Sequence, residues 1–193
     1  YKKGAAYIGK EHSWDEAFGY WGAAAHTMKL TAKQSYNIAK KKDLKAADYN
    51  NDGIVDLQTE MTYAHAYYAS SFDKGGNTNY LKNVTGAFLD GRKLITKANG
   101  NKLSANQLDK IQDYVQVICS NWEDVIAEAV FKYAGSVYKD LGSVEKALET
   151  GSGMDKAMSA YLKHWGELKG FAMALQAGPD NKSDTFNNIN RMM

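Results

Sequence analysis

Residues 108–130 read LDKIQDYVQVICSNWEDVIAEAV, and their apolar positions Leu108, Ile111, Val115, Ile118, Trp122, Val125, Ile126, Ala129 and Val130 recur every three or four residues. That is the period of one face of an α-helix, where side chains three and four apart lie on the same side. Ser104 stands just ahead of the run, where a hydroxyl accepts from the free N–H groups of a first turn. The spacing predicts one long amphipathic helix, with Gly135 tolerated or kinking it near its end.

The same period extends outward in both directions. Tyr7, Ile8, Trp14, Phe18, Trp21 and Ala25 predict a helix from about Ala5 to Met28. A shorter helix is expected over 30–41, ending in Lys40, Lys41 and Lys42, which suit a helix C-terminus. Asp56 or Thr59 is expected to cap a helix reaching about Phe72. Leu81, Val84, Phe88, Leu89, Leu94 and Ile95 mark another, running from Asn77 to the Asn-Gly-Asn turn at 99–101. Beyond the long run, Ser143–Leu148 reads as a short helix and Met154–Ala177 as the last long one, stopped by Gly178–Pro179. Nothing alternates with the period of a strand, and the one proline leaves the chain free of internal breaks. The expected fold is all-α, an up-and-down helical bundle in one domain spanning 1–193, with a C-terminal tail at 178–193.

Composition narrows the function. The 193 residues carry 24 basic and 22 acidic side chains, a net charge of +2, and the lysines are scattered. Nucleic acid is therefore not an expected partner. No run approaches the roughly 18 apolar residues a membrane span needs. The single cysteine, Cys119, sits in the apolar helical pattern and reads as a buried thiol. The chain opens at Tyr1 without a methionine and ends at Met192–Met193, which reads as part of a longer precursor, so a targeting segment or a lipid anchor on that precursor is compatible with it.

Chemistry concentrates first at residues 48–60, DYNNDGIVDLQTE. Asp48, Asn50, Asp52 and Asp56 occupy positions 1, 3, 5 and 9 of an EF-hand-like calcium loop, and Gly53 falls at position 6, where the chain turns sharply. Ile54 at position 7 would offer its backbone carbonyl, and Val55 would pin the loop to a core. Position 12 is Thr59, so the closing carboxylate is Glu60, one residue late, which a following helix starting early would accommodate. The competing reading is an Asx-rich surface turn. Five matches in the motif favour calcium, with a structural role, since a lone site makes a poor sensor. Millimolar calcium is found outside the cytoplasm, which favours an exported protein.

A second candidate centre comes from the histidines. Asp15 and Glu16 follow His12 at i+3 and i+4, and Glu167 follows His164 at i+3, so each imidazole shares a helix face with a carboxylate. Bundles hold transition metals with such pairs, and two pairs brought together would suit iron, zinc or manganese. Hydrogen-bonded histidines that fix helix register are the plainer alternative. On a continuous helix His26 would lie nearly four turns below His12, while His65 follows the calcium loop amid Tyr63, Tyr67 and Tyr68. No Gly-x-Ser-x-Gly, His-Glu-x-x-His or Cys–His motif supports nucleophilic or zincin-type catalysis.

Three segments, His12-Ser13-Trp14-Asp15-Glu16-Ala17-Phe18-Gly19-Tyr20-Trp21-Gly22, Asp48–Glu60, and His164-Trp165-Gly166-Glu167-Leu168-Lys169-Gly170-Phe171, resemble domain-of-unknown-function family 4856. The resemblance runs from residue 11 to about 178. It implies an exported, often lipid-anchored protein of the Gram-negative envelope, in the periplasm or on the outer membrane. The family is similar to the imelysin-like proteins, helical bundles with a Gly-x-His-x-x-Glu motif linked to iron uptake. His164-x-x-Glu167 keeps the His/Glu spacing of that motif, while Leu162 and Lys163 stand in place of its lead-in. The resemblance implies a non-enzymatic, calcium-stabilised component of iron or haem acquisition, with an envelope iron or haem receptor as partner. An imelysin-type metallopeptidase and a calcium-stabilised scaffold or adhesion module are the alternatives.

Overall fold

A computed structural model of the chain describes residues 7–177. Among these residues every regular element is helical and no strand occurs, as the periodicity predicts. Seven α-helices follow one another: α1 (Gly9–Trp21), α2 (Ala32–Ala39), α3 (Leu44–Ala47), α4 (Ala64–Asp73), α5 (Tyr80–Lys97), α6 (Ala105–Thr150) and α7 (Met154–Ala174), with 3-10 turns at Thr27–Lys29 and Leu175–Ala177. The chain divides into two compact units, Tyr1–Trp122 and Glu123–Met193, and α6 contributes to both. The predicted tail at 178–193 and the helix stop at Gly178–Pro179 lie outside the described residues.

In the first unit α1, α4 and α5 pack on one another and α2 packs on α4. The apolar face of α1 supplies Trp14, Phe18 and Trp21, spaced so that all three point one way. Trp14 and Phe18 both meet Phe88 of α5 edge-on, and the fully buried Trp21 meets Trp122 edge-on. Both indoles of α1 find an acceptor: Trp14 Nε1 donates to the Phe88 carbonyl at 2.8 Å and Trp21 Nε1 to the Thr85 hydroxyl at 3.2 Å. That pairing matters because a buried N–H without a partner is expensive. Gly91 makes the α1–α5 contact possible, since a Cβ there would fall 2.2 Å from the Trp14 ring.

Asp73, the last residue of α4, replaces the local cap that α5 lacks. Its carboxylate accepts from the Tyr80 N–H at 3.0 Å, the Leu81 N–H at 2.7 Å and the Thr78 hydroxyl at 2.6 Å. Two free N–H donors of the first turn are thereby satisfied by a side chain from the preceding helix.

Three boundaries differ from the sequence expectation. The first helix stops at Trp21, because Gly22 enters the left-handed region at φ 81° and turns the chain. His26 therefore lies off α1 rather than below His12. After the loop at 48–60, no helix starts early: residues 61–63 are not helical and α4 begins only at Ala64. Two backbone hydrogen bonds hold the segment out, from Ala25 N–H to the Thr59 carbonyl and from Tyr63 N–H to the Gly22 carbonyl, each 2.7 Å. Met61 and Thr62 are buried between them. Finally, α6 runs unbroken through Gly135 and Gly142 and absorbs the separate helix expected at Ser143–Leu148.

The Ser104 cap is present, with Ser104 Oγ accepting from Gln107 N–H while Gln107 Oε1 accepts from Ser104 N–H. In the second unit α6 turns into α7 through Gly151 and Gly153, both at positive φ. Tyr133 of α6 stacks on Phe171 of α7, among the buried Val130, Val137 and Ala172.

Candidate metal centres

The loop at 48–60 is built on a small apolar base. Ala47 just before it and Met61 just after it are buried with Leu30 and Ile38, and Val55 packs against that cluster from the middle of the loop, as its position predicts. Gly53 turns at φ 82° with open space around it, so conformation rather than room requires a glycine there. His26 adds a clamp that sequence reasoning missed. Its Nε2 lies 3.0 Å from the Ala46 carbonyl, and its ring stacks on Tyr49.

The donor side chains organise the loop's own backbone. Asp48 accepts from the N–H groups of Asp52 and Gly53, Asn50 Oδ1 from Asp52 N–H, Asp52 Oδ1 from Ile54 N–H, and Asp56 Oδ1 from Gln58 and Thr59 N–H. Glu60, only 5% exposed, spans the loop: Oε1 accepts from Tyr49 N–H at 2.9 Å and Oε2 from Asp56 N–H at 2.8 Å. Its carboxylate thus braces the two halves of the loop, a role the spacing alone did not reveal.

Among the described residues no three His, Cys, Asp or Glu side chains converge as around a bound metal, and the loop's carboxylates are no exception. They nevertheless keep capacity for a cation, because each carboxylate oxygen has two lone pairs and the backbone engages one of them at most positions. Among the described residues none of Asp48, Asp52, Asp56 and Glu60 is paired with a lysine, arginine or histidine.

The histidine set fits a transition metal poorly. His12 Nε2 stands 3.4 Å from Glu16 and its ring stacks on Tyr7, both at an exposed face of α1. Asp15 is drawn away from it, held by Arg92 Nε at 2.8 and 3.0 Å. Arg92 also donates to Glu11 Oε1 at 2.7 Å and to the Thr96 hydroxyl. In the second unit His164 Nδ1 lies 2.6 Å from Asp140. Glu167 stands one turn on from His164, with a buried Oε2 that has no hydrogen-bond partner. Among the described residues neither His12 nor His164 stands in a group of three converging His, Cys, Asp or Glu side chains, short of the three protein ligands a catalytic zinc uses. Arg92 and Asp140, the partners that occupy Asp15 and His164, carry no local motif that would have marked them. His65 packs against Trp122, and partial burial pushes its imidazole pKa down, so it is a neutral, half-buried histidine at pH 7.

Glu11 is the titratable group with most consequence for α1. The Ile8 N–H and then the Thr96 hydroxyl hold its carboxyl below the ordinary 4.5, burial opposes them, and Arg92 adds to them. A folded pKa below the unfolded one means that protonation favours unfolding. The stabilisation is complete above the unfolded value and is lost as pH falls from there through the depressed folded value. Melting temperature is therefore expected to drop between about pH 5 and pH 3, and thermal melts of Glu11→Gln should show a shallower drop. Parallel slopes for the two proteins would remove Glu11 from that account.

Comparison with known proteins finds no family model, no curated protein and no solved structure that matches the chain.

Proposed function

We propose that the chain is an exported helical domain of the Gram-negative envelope that binds one calcium ion at Asp48–Glu60 and serves, without catalysis, as a binding component of iron or haem acquisition. One observation carries the calcium reading. Four carboxylates are folded into thirteen residues, one of them buried, and none has a cationic side chain as partner. Mutual repulsion of that kind is relieved by a counter-ion, and oxygen-only donors at this spacing select a hard one.

Asp48, Asn50, Asp52, Asp56 and Glu60 would hold the ion with their side chains and Ile54 with its carbonyl. Bound there, calcium supplies the positive charge the loop lacks. The loop's ends sit in the cluster of Leu30, Ile38, Ala47 and Met61, so holding the loop also holds that part of the first unit. The envelope location and the role in iron or haem acquisition are supported by the three-segment resemblance to family 4856. Elemental analysis of protein equilibrated with calcium, iron and zinc, before and after chelation, tests the proposal. One chelatable calcium per chain supports it. Stoichiometric zinc would favour a peptidase instead, and protein without calcium would overturn the loop's assignment.

A further inference from the structure

The first unit contains an apolar groove of about 850 Å³, in the size range of small-molecule sites, and its lining lies wholly within that unit. Trp14, Phe88 and Ile95 of α1 and α5 form one side; Leu108, Val115 and Ile118 of α6 form the other. The α6 stripe that defines the helix is thus only partly covered: Leu108 stays 45% and Val115 41% exposed. Leu108 and Trp122 are fourteen residues apart on α6, which makes the groove roughly 20 Å long.

The charged groups of the lining have one sign. Lys10 and Lys102 are its charged members, and no carboxylate lines the groove. Both lysines are exposed, and among the described residues neither has an acidic partner. They sit at one end, where α1 and α6 both begin, at Gly9 and Ala105. The N-terminal end of α6 adds positive potential there. A long apolar trough closed by two cations matches an amphiphile with an anionic head.

We propose that this groove binds a long-chain carboxylate, with its tail along Trp14, Phe88 and Val115 and its head between Lys10 and Lys102. The proposal is independent of the calcium reading. Titration of the full chain with hexadecanoate, hexadecanol and decanoate below their micellar concentrations, followed by tryptophan fluorescence, tests it. Affinity is expected to rise about fourfold for each methylene that enters the groove, so hexadecanoate should far exceed decanoate. Hexadecanoate should also bind about tenfold more tightly than hexadecanol, and the double variant Lys10→Gln/Lys102→Gln should erase that preference while leaving the alcohol unchanged.

Occupancy should slow alkylation of Cys119, the chain's one cysteine and a lining residue. Val115→Asp, at an exposed position, should weaken both ligands more than tenfold with helical content preserved. Equal affinity for acid and alcohol would overturn the proposal. So would binding that ignores the lysines, uptake by phospholipid vesicles alone, or self-association that shields Cys119 without ligand.

Discussion

Asp52→Ala is expected to melt well below the parent protein when calcium is present and level with it in chelator. An ion that binds only the folded chain stabilises it by about 2.7 kcal/mol at a hundredfold excess over its dissociation constant. For a chain of this size that corresponds to roughly 5–10 °C in melting temperature. In chelator the substitution removes two exposed hydrogen bonds, from Ile54 N–H to Asp52 Oδ1 and from Asn50 Nδ2 to Asp52 Oδ2, with an effect within about 1 kcal/mol. Glu60→Ala separates ligation from bracing. It strips acceptors from the N–H groups of Tyr49 and Asp56 at a buried site, so it should lower stability by about 2–4 kcal/mol with or without the ion. Paired thermal melts of the three proteins in calcium and in chelator decide the matter. If the parent melts at one temperature in both buffers, the loop is a turn and no more.

What could be read from the sequence follows the range of the interaction responsible. The α6 stripe and the Ser104 cap are local patterns, and each predicts what the backbone does. The stop of α1 at Trp21 is local too, but an apolar period continuing to Ala25 masked the glycine that ends it. Ser143 reads as the start of a short separate helix, yet its Oγ donates to the Lys139 carbonyl one turn back, so its hydroxyl is satisfied inside the helix. The delayed start of α4 depends on backbone bonds to residues 22 and 25, some forty positions upstream, and no periodicity encodes those. The same limit separates the two candidate centres. The proposed calcium loop has its candidate donors within thirteen consecutive residues, whereas the fate of Asp15 rests with Arg92, 77 positions away, and that of His164 with Asp140, 24 away. Helical spacing says which face a side chain occupies, and it is silent about the competitor waiting there.

Gly22→Ala tests the link between that long-range pairing and the loop. The residue sits at φ 81°, and a Cβ there would lie 2.8 Å from the Tyr63 carbonyl oxygen and 3.1 Å from the Ala64 Cβ. The left-handed backbone alone costs a non-glycine residue about 1–2 kcal/mol. The clash adds to it, because backbone atoms give way only if residues 59–63 separate from 22–25 and both 2.7 Å hydrogen bonds weaken. The expected loss is about 3 kcal/mol or more, or some 6–12 °C in melting temperature. Gly76→Ala is the control, since Gly76 has φ 82° with no atom within 4 Å of an added Cβ; only the conformational part applies, about 1–2 kcal/mol. Equal losses in the two variants would show that the close approach at Tyr63 carries no weight. The pair also differs at the loop. Residues 59–63 are its exit, so Gly22→Ala should shrink the stabilisation that calcium brings, while Gly76→Ala leaves that increment whole.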